Sequence, residues 1–167
     1  MRSITDIEAR VIAVCISNGG VPKRPLEAGT VTKAGVEGDG HAHAKHIRPE
    51  RAISILDIEI MRDLVDEGFQ LQPGTTGENL TVEGLHVQQM QPGMLLDIGN
   101  VTLQLEEPRR PCFVLDVIHP TLKEAIVGRC GYMASVVRGG TIRPGMLITS
   151  QDCVSTSSVF QDANPIS

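Results

Sequence analysis

Tryptophan is absent from this sequence, and one tyrosine and three phenylalanines are its whole aromatic complement, 2% of the residues. A core must therefore be filled with Val, Ile, Leu and Met, and stacking of nucleic-acid bases on aromatic side chains is nearly excluded. Positive charge is also in the minority: 15 Lys and Arg against 20 Asp and Glu leave a formal net charge of -5, which argues against nucleic acid as a partner. No apolar run approaches the roughly 20 residues that a bilayer-spanning helix needs. Residues 1–10, MRSITDIEAR, alternate charged and apolar groups where a signal peptide would be continuously apolar, so no membrane association and a cytoplasmic location are expected. The cysteines, Cys15, Cys112, Cys130 and Cys153, form no C-x-x-C pair. That excludes an all-cysteine zinc site, fits no disulfide framework, and predicts reduced thiols.

What the chain does have is 41% hydrophobic residues over 167 positions, enough for one domain that buries roughly two thirds of its unfolded surface. ARVIAVCIS (9–17) has the β-branched density of a buried strand. RAISIL (51–56) reads as a second strand and runs into LDIEIMRDLVDEG, where Leu56, Ile60, Met61 and Leu64 share a helical face and Gly68 marks the stop. Ser54 with Asp57 three residues on resembles a capping box, which predicts a helix over about 56–67. Short β-rich segments follow at 78–82, 94–99, 101–107, 132–137 and 146–150, separated by turn dipeptides such as Pro92-Gly93 and Pro144-Gly145. Many short strands with few helices predict a mostly β, barrel-like domain over residues 1–150, and the Ser-rich, patternless residues 151–167 read as a frayed tail.

Three segments could carry chemistry. In EEPRRPC, Pro108 and Pro111 stiffen a loop, and Arg109 and Arg110 favour the thiolate of Cys112. If CFVLDVI begins a helical turn, Cys112 also lies near a helix N-terminus. Such a thiolate could serve as a nucleophile, a sulfur carrier or a soft metal ligand; equally, Cys112 could be a small buried hydrophobe beside solvated arginines. In GVEGDGHAHAKH, His41, His43 and His46 with Asp39 could share a divalent metal, or be unligated loop histidines. In PGTTGENLTVEG, Thr75, Thr76, Glu78 and Asn79 could hydrogen-bond a ligand, or stabilise their own turn.

Taken in series, GVEGDGHAH, RAISIL, GTTGENLTVEGL, PRRPC and GRCGYMASVVRGGTIRPGM resemble the MOSC domain, named for the C-terminal domain of molybdenum cofactor sulfurases, over roughly residues 9–150. The resemblance implies an MOSC-type β-barrel and binding of molybdenum cofactor (molybdopterin). It implies Cys112 as the molybdenum ligand or sulfur-bearing thiol, and places the segment of Thr76, Glu78 and Asn79 against the pterin. Arg51, Arg109 and Arg110 are the basic residues nearest these motifs, and would offset negative charge on the ligand unless they pair with Glu50, Glu106 or Glu107. Cys130 is expected to be a core thiol. The resemblance is closest to short, stand-alone bacterial members. The chain lacks the pyridoxal-phosphate domain and lysine of full-length sulfurases, so pyridoxal phosphate is not carried over. The activity implied is reduction of N-hydroxylated compounds. No flavin, haem or iron-sulfur motif is visible, so an external redox protein would supply electrons. The alternative is a non-redox carrier of sulfur or cofactor that works with a cofactor-biosynthesis protein.

Overall fold

Val101, Leu103 and Leu105 occur at every second position of VTLQLEEP and are fully buried, while Gln104 and Glu106, on the other face, are partly exposed. This two-residue period describes a strand with one face on a core, and it recurs along the chain. The computed structural model describes residues 8–40 and 48–151. In chain order it contains β1 (Ala9–Ile16), β2 (Arg24–Leu26), β3 (Gly29–Thr32), β4 (Gly35–Val36), β5 (Ile53–Asp57), α1 (Ile58–Asp66), β6 (Leu80–Glu83), β7 (Leu95–Ile98), β8 (Val101–Pro108), α2 (Leu122–Ala125), β9 (Tyr132–Arg138), β10 (Gly140–Ile142) and β11 (Leu147–Gln151).

Seven strands close on themselves in the order β11-β7-β8-β9-β5-β6-β1, with β1 pairing back to β11, and β2 adds to β1 outside the ring. A ring with an odd number of strands cannot alternate direction all the way round, so one neighbouring pair must run parallel. That pair is β5 and β6, in register Ile55 to Leu80 and Leu56 to Thr81, and the other ring contacts are antiparallel. A parallel neighbour demands a crossover connection. Here α1 and residues 67–79 supply it, which lays a helix and a long loop against the outside of the barrel. A small sheet of β10, β3 and β4 lies beside the ring.

Apolar packing follows this division. Ile53, Ile55, Leu80 and Val82 join the core inside the barrel. Leu56 turns outward to meet Ile58 and Met61, and Leu64 joins Phe69, Leu115, Leu122, Ile126 and Cys130 in a second apolar layer. The expected strands lie where the sequence places them to within about two residues. The helix starts at Ile58, not near Leu56, because Leu56 and Asp57 belong to β5. Ser54 and Asp57 form no capping box: the Asp57 carboxylate accepts the backbone N–H groups of His86 and Val87 at 2.7 and 2.8 Å. The buried helical face is Ile58, Met61 and Leu64, with Ile60 partly buried.

The segments QPGM (91–94) and RPGM (143–146) are one turn used twice. Gly93 and Gly145 adopt φ of 94° and 93°, Met94 and Met146 donate to the carbonyls of Gln91 and Arg143, and each methionine sulfur accepts the backbone N–H three residues back. Positive φ at the third residue requires glycine, which fixes the motif. The residues expected to form a frayed tail lie, from 152 onward, outside the described residues, as do His41, His43, His46 and Cys153.

Candidate functional site

Strand alternation puts Ser54 on the face of β5 opposite Ile53 and Ile55, and Thr81 on the face of β6 opposite Leu80 and Val82. Both therefore look out through the barrel wall, where the crossover loop returns. The polar groups that meet there are buried and paired. Asn79 Oδ1 accepts from the Ser54 backbone N–H at 3.0 Å, and its Nδ2 donates to the Cys15 carbonyl at 3.2 Å and to Asp39 Oδ2 at 2.9 Å. The Glu78 carboxylate takes three donors: the Gly74 N–H at 2.9 Å and the hydroxyls of Thr76 and Thr81 at 2.6 and 2.8 Å. Thr76, Glu78 and Asn79 are thus buried with their side chains engaged by this chain's own groups. A buried carboxylate with three donors is a rigid anchor for the loop that carries it.

Asp39 closes the same network. Its carboxylate receives Lys23 Nζ at 2.6 Å and the Ser17 N–H at 3.0 Å in addition to Asn79, so it ties the ends of β1 and β6 to the loop that leads into residues 41–47. Among the described residues no group of three His, Cys, Asp or Glu side chains is arranged to hold a metal ion. Asp39 stands out in the sequence, whereas Lys23 does not and Ser54 stands out only as a helix cap. Their partners here lie 16 and 25 residues away, and no local pattern marks those pairings.

Arg109 reaches this wall from the end of β8. Its backbone N–H donates to the Gly131 carbonyl at 2.9 Å, and Nη2 donates to the Thr76 carbonyl at 2.8 Å. Among the described residues its Nη1 is buried without a hydrogen-bond partner. Gly77, at φ 93°, lets the guanidinium approach: a Cβ there would lie 3.2 Å from Arg109 Nη2 and 2.8 Å from Val21 Cγ1. Gly131 is equally constrained, since a Cβ would sit 1.9 Å from the Ile55 carbonyl oxygen. In GRCGYM, Gly131 thus lets the chain approach the β5 backbone closely.

Three residues beyond Arg109, Cys112 is exposed and leads into a 3-10 turn, Phe113–Val117, whose Leu115 N–H donates to the Cys112 carbonyl at 3.1 Å. The expected helical turn after Cys112 exists, but as a single short 3-10 segment. Arg110 and Arg51 are both exposed, Arg51 at the end of a 3-10 turn (Pro49–Arg51) that packs on β9. Glu106 accepts from Ser135 and Gln104, not from Arg109.

The described thiols are chemically distinct. Cys15 is fully buried; burial pushes its pKa up to about 12, with Glu78 adding to the rise and Lys23 opposing it. Burial likewise raises Cys130, which is 1% exposed, against the pull of Arg109 and with further upward pushes from Cys112 and Glu78. Cys112 alone of the three is open to solvent. The arrangement can therefore present one sulfur to a soft electrophile or metal, three residues along the chain from a guanidinium nitrogen that has no partner among the described residues.

Comparison with known proteins agrees with this architecture. The chain is 29% identical over 140 residues to Bacillus subtilis YflK, described as an uncharacterized protein, covering 75% of this chain and 60% of YflK. It is 32% identical over 124 residues to a Gibberella moniliformis protein named Reductase, covering 69% of this chain and 22% of that protein. The crystal structure of YiiM from Geobacillus stearothermophilus superposes with a TM-score of 0.70 at 23% identity, over 86% of this chain and 75% of that one. The family model described as MOSC domain matches residues 42–149. With the matched segment spanning the crossover, the wall and the PRRPC loop, the chain belongs to the MOSC domain family.

Proposed function

We propose that this MOSC domain binds a molybdenum-pterin cofactor through the Cys112 thiolate and the Arg109 guanidinium, and that the loaded protein reduces N-hydroxylated substrates with electrons from a separate redox protein. The observation that carries the reading is the buried Nη1 of Arg109, without a hydrogen-bond partner among the described residues and three residues from an exposed thiol. Burying a guanidinium nitrogen without an acceptor costs on the order of 1–3 kcal/mol, and an anionic ligand oxygen would recover that loss. The donor set suits the group, since a thiolate is a soft ligand and arginine reads phosphate in a fixed two-nitrogen geometry.

Each residue has a separate task in this reading. Cys112 holds the ligand and Arg109 neutralises and orients it. Glu78, Asn79, Asp39 and Lys23 keep the loop beneath Arg109 in one conformation, because the Arg109 side chain leans on the Thr76 carbonyl. When bound, the cofactor supplies a two-electron change of oxidation state. The relative named Reductase supports a redox role, although this chain corresponds to 22% of its length.

The test is expression of the chain in cells able to make the cofactor, followed by metal analysis and pterin fluorescence after oxidation. Retained molybdenum and pterin are expected, with both lost in Cys112→Ser, since a neutral hydroxyl is a poor soft-metal ligand. Arg109→Ala is expected to weaken retention about tenfold or more while leaving the fold intact. Cyanide-labile sulfur on Cys112 without molybdenum would assign the chain to sulfur transfer instead. Unchanged metal content in Cys112→Ser would end the thiolate reading.

A further inference from the structure

Ligand binding by Cys112 and Arg109 leaves the neighbouring thiol of Cys130 without a task. Cys130 nevertheless sits against the same loop. The hydrogen bond from the Arg109 N–H to the Gly131 carbonyl runs the start of the PRRPC loop alongside residues 130 and 131. Leu115, which donates its N–H to the Cys112 carbonyl, packs in one apolar cluster with Cys130, Leu122 and Ile126. The two thiols differ sharply in access, with Cys112 exposed and Cys130 buried. A small oxidant arriving from solvent meets Cys112 first and finds Cys130 shielded.

We propose that Cys112 and Cys130 are a peroxide-responsive dithiol pair, closing to an intramolecular disulfide that withdraws Cys112 from ligand binding. The oxidant is hydrogen peroxide or an organic hydroperoxide. The Cys112 sulfur attacks one peroxide oxygen, the O–O bond breaks, and Cys112 becomes a sulfenic acid as water or an alcohol leaves. The Cys130 sulfur then attacks the Cys112 sulfur, the S–O bond breaks, and the hydroxyl leaves as water with the Cys130 thiol proton. In sum two thiols give up two protons and two electrons, and one peroxide is reduced. The intervening residues 113–129 supply the give: Phe113 and Val117 face solvent, and the 3-10 turn is held to the apolar layer through Leu115. Disulfide formation is independent of the proposed cofactor; its effect on ligand binding rests on Cys112 being the ligand.

The experiment uses the full chain, reduced and free of cofactor, treated with a slight excess of hydrogen peroxide, alkylated, digested and analysed by mass spectrometry. The expected result is a peptide linking Cys112 to Cys130, an intact mass lower by about 2 Da, and reversal by dithiothreitol. Cys130→Ser should lose the link and carry Cys112 on to sulfinic acid, and Cys112→Ser should leave Cys130 open to alkylation after unfolding. A Cys112–Cys153 link, a covalent dimer, or a wild-type chain with oxygenated Cys112 and free Cys130 overturns the pair. The wild-type peptide decides the matter even where a variant fails to fold. Cofactor-loaded protein separates the two readings: loss of molybdenum on peroxide treatment joins them, whereas a disulfide in a chain that never retained molybdenum sinks the ligand reading alone.

Discussion

Cys15 and Cys112 are the same residue in two solvents. Cys15 occupies the outer face of β1 beneath Gly74, where a Cβ added to that glycine would meet its sulfur at 3.1 Å, and its charged form is disfavoured by burial and by Glu78. Cys112 has water on one side. At neutral pH in the native protein, Cys112 is expected to alkylate with iodoacetamide at least about a hundredfold faster than Cys15, because the thiolate is the reacting species and needs access. Equal rates would show that the two environments do not differ in the way the structure indicates. The same shift has a consequence for stability. A thiol whose folded pKa is raised from about 9 to about 12 contributes stability that is complete below the unfolded value and is lost as pH climbs toward the folded one. The melting temperature is therefore expected to fall between pH 9 and 12, and to fall less steeply in Cys15→Ala, measured relative to its own value at pH 8. Parallel curves for the two proteins would remove Cys15 as the cause.

At the scale of elements, α1 shows how tertiary partners override a local signal. Ser54 and Asp57 have the spacing of a capping box, yet Ser54 is needed by Asn79, and Asp57 is needed by the N–H groups of His86 and Val87. Each alternative satisfies a buried backbone donor, that of Asn79 by the Ser54 hydroxyl and that of Val87 by Asp57, and an unmet buried donor costs more than a missing cap. The helix is instead held by burial. Leu64 is fully buried among Phe69, Leu115, Leu122 and Ile126, and Leu64→Ala is expected to cost about 2–5 kcal/mol in urea-induced unfolding. Since this layer also carries Leu115 and Cys130, the same variant should loosen the Cys112 loop and raise its rate of proteolytic cleavage. An unchanged midpoint would place this face in solvent.

At the scale of the whole molecule, closure decides stability. β11 bonds to β7 on one side and to β1 on the other, so it is the strand that completes the ring. A chain ending at Met146 would open the barrel, expose the edges of β1 and β7, and uncover the side of the core to which Ile148 and Ala9 contribute. Such a chain is expected to bind a hydrophobic dye and to unfold with a shallower urea dependence than the full chain. A cooperative transition at the original midpoint would mean that the remaining strands close without β11.

How much of this was legible beforehand follows from which interactions are local. Strand positions could be read because burial on one face imposes a two-residue period within each segment, as in Val101, Leu103 and Leu105, and the paired turns could be read because positive φ demands glycine at positions 93 and 145. Cys112 stood out because two prolines and two arginines directly precede it in sequence. The rest depended on contacts between residues far apart in the chain. Lys23 meets Asp39, Ser54 meets Asn79, and Arg109 crosses 33 positions to the Thr76 carbonyl and keeps one nitrogen without a partner among the described residues. No local pattern encodes those meetings, because they exist only once an odd ring of strands has forced β5 and β6 parallel and brought the crossover loop back over the wall. The sequence by itself determined the strands, the turns and the thiol with its charged loop; tertiary structure alone decided which polar groups were consumed in holding that loop and which, among the described residues, kept no partner.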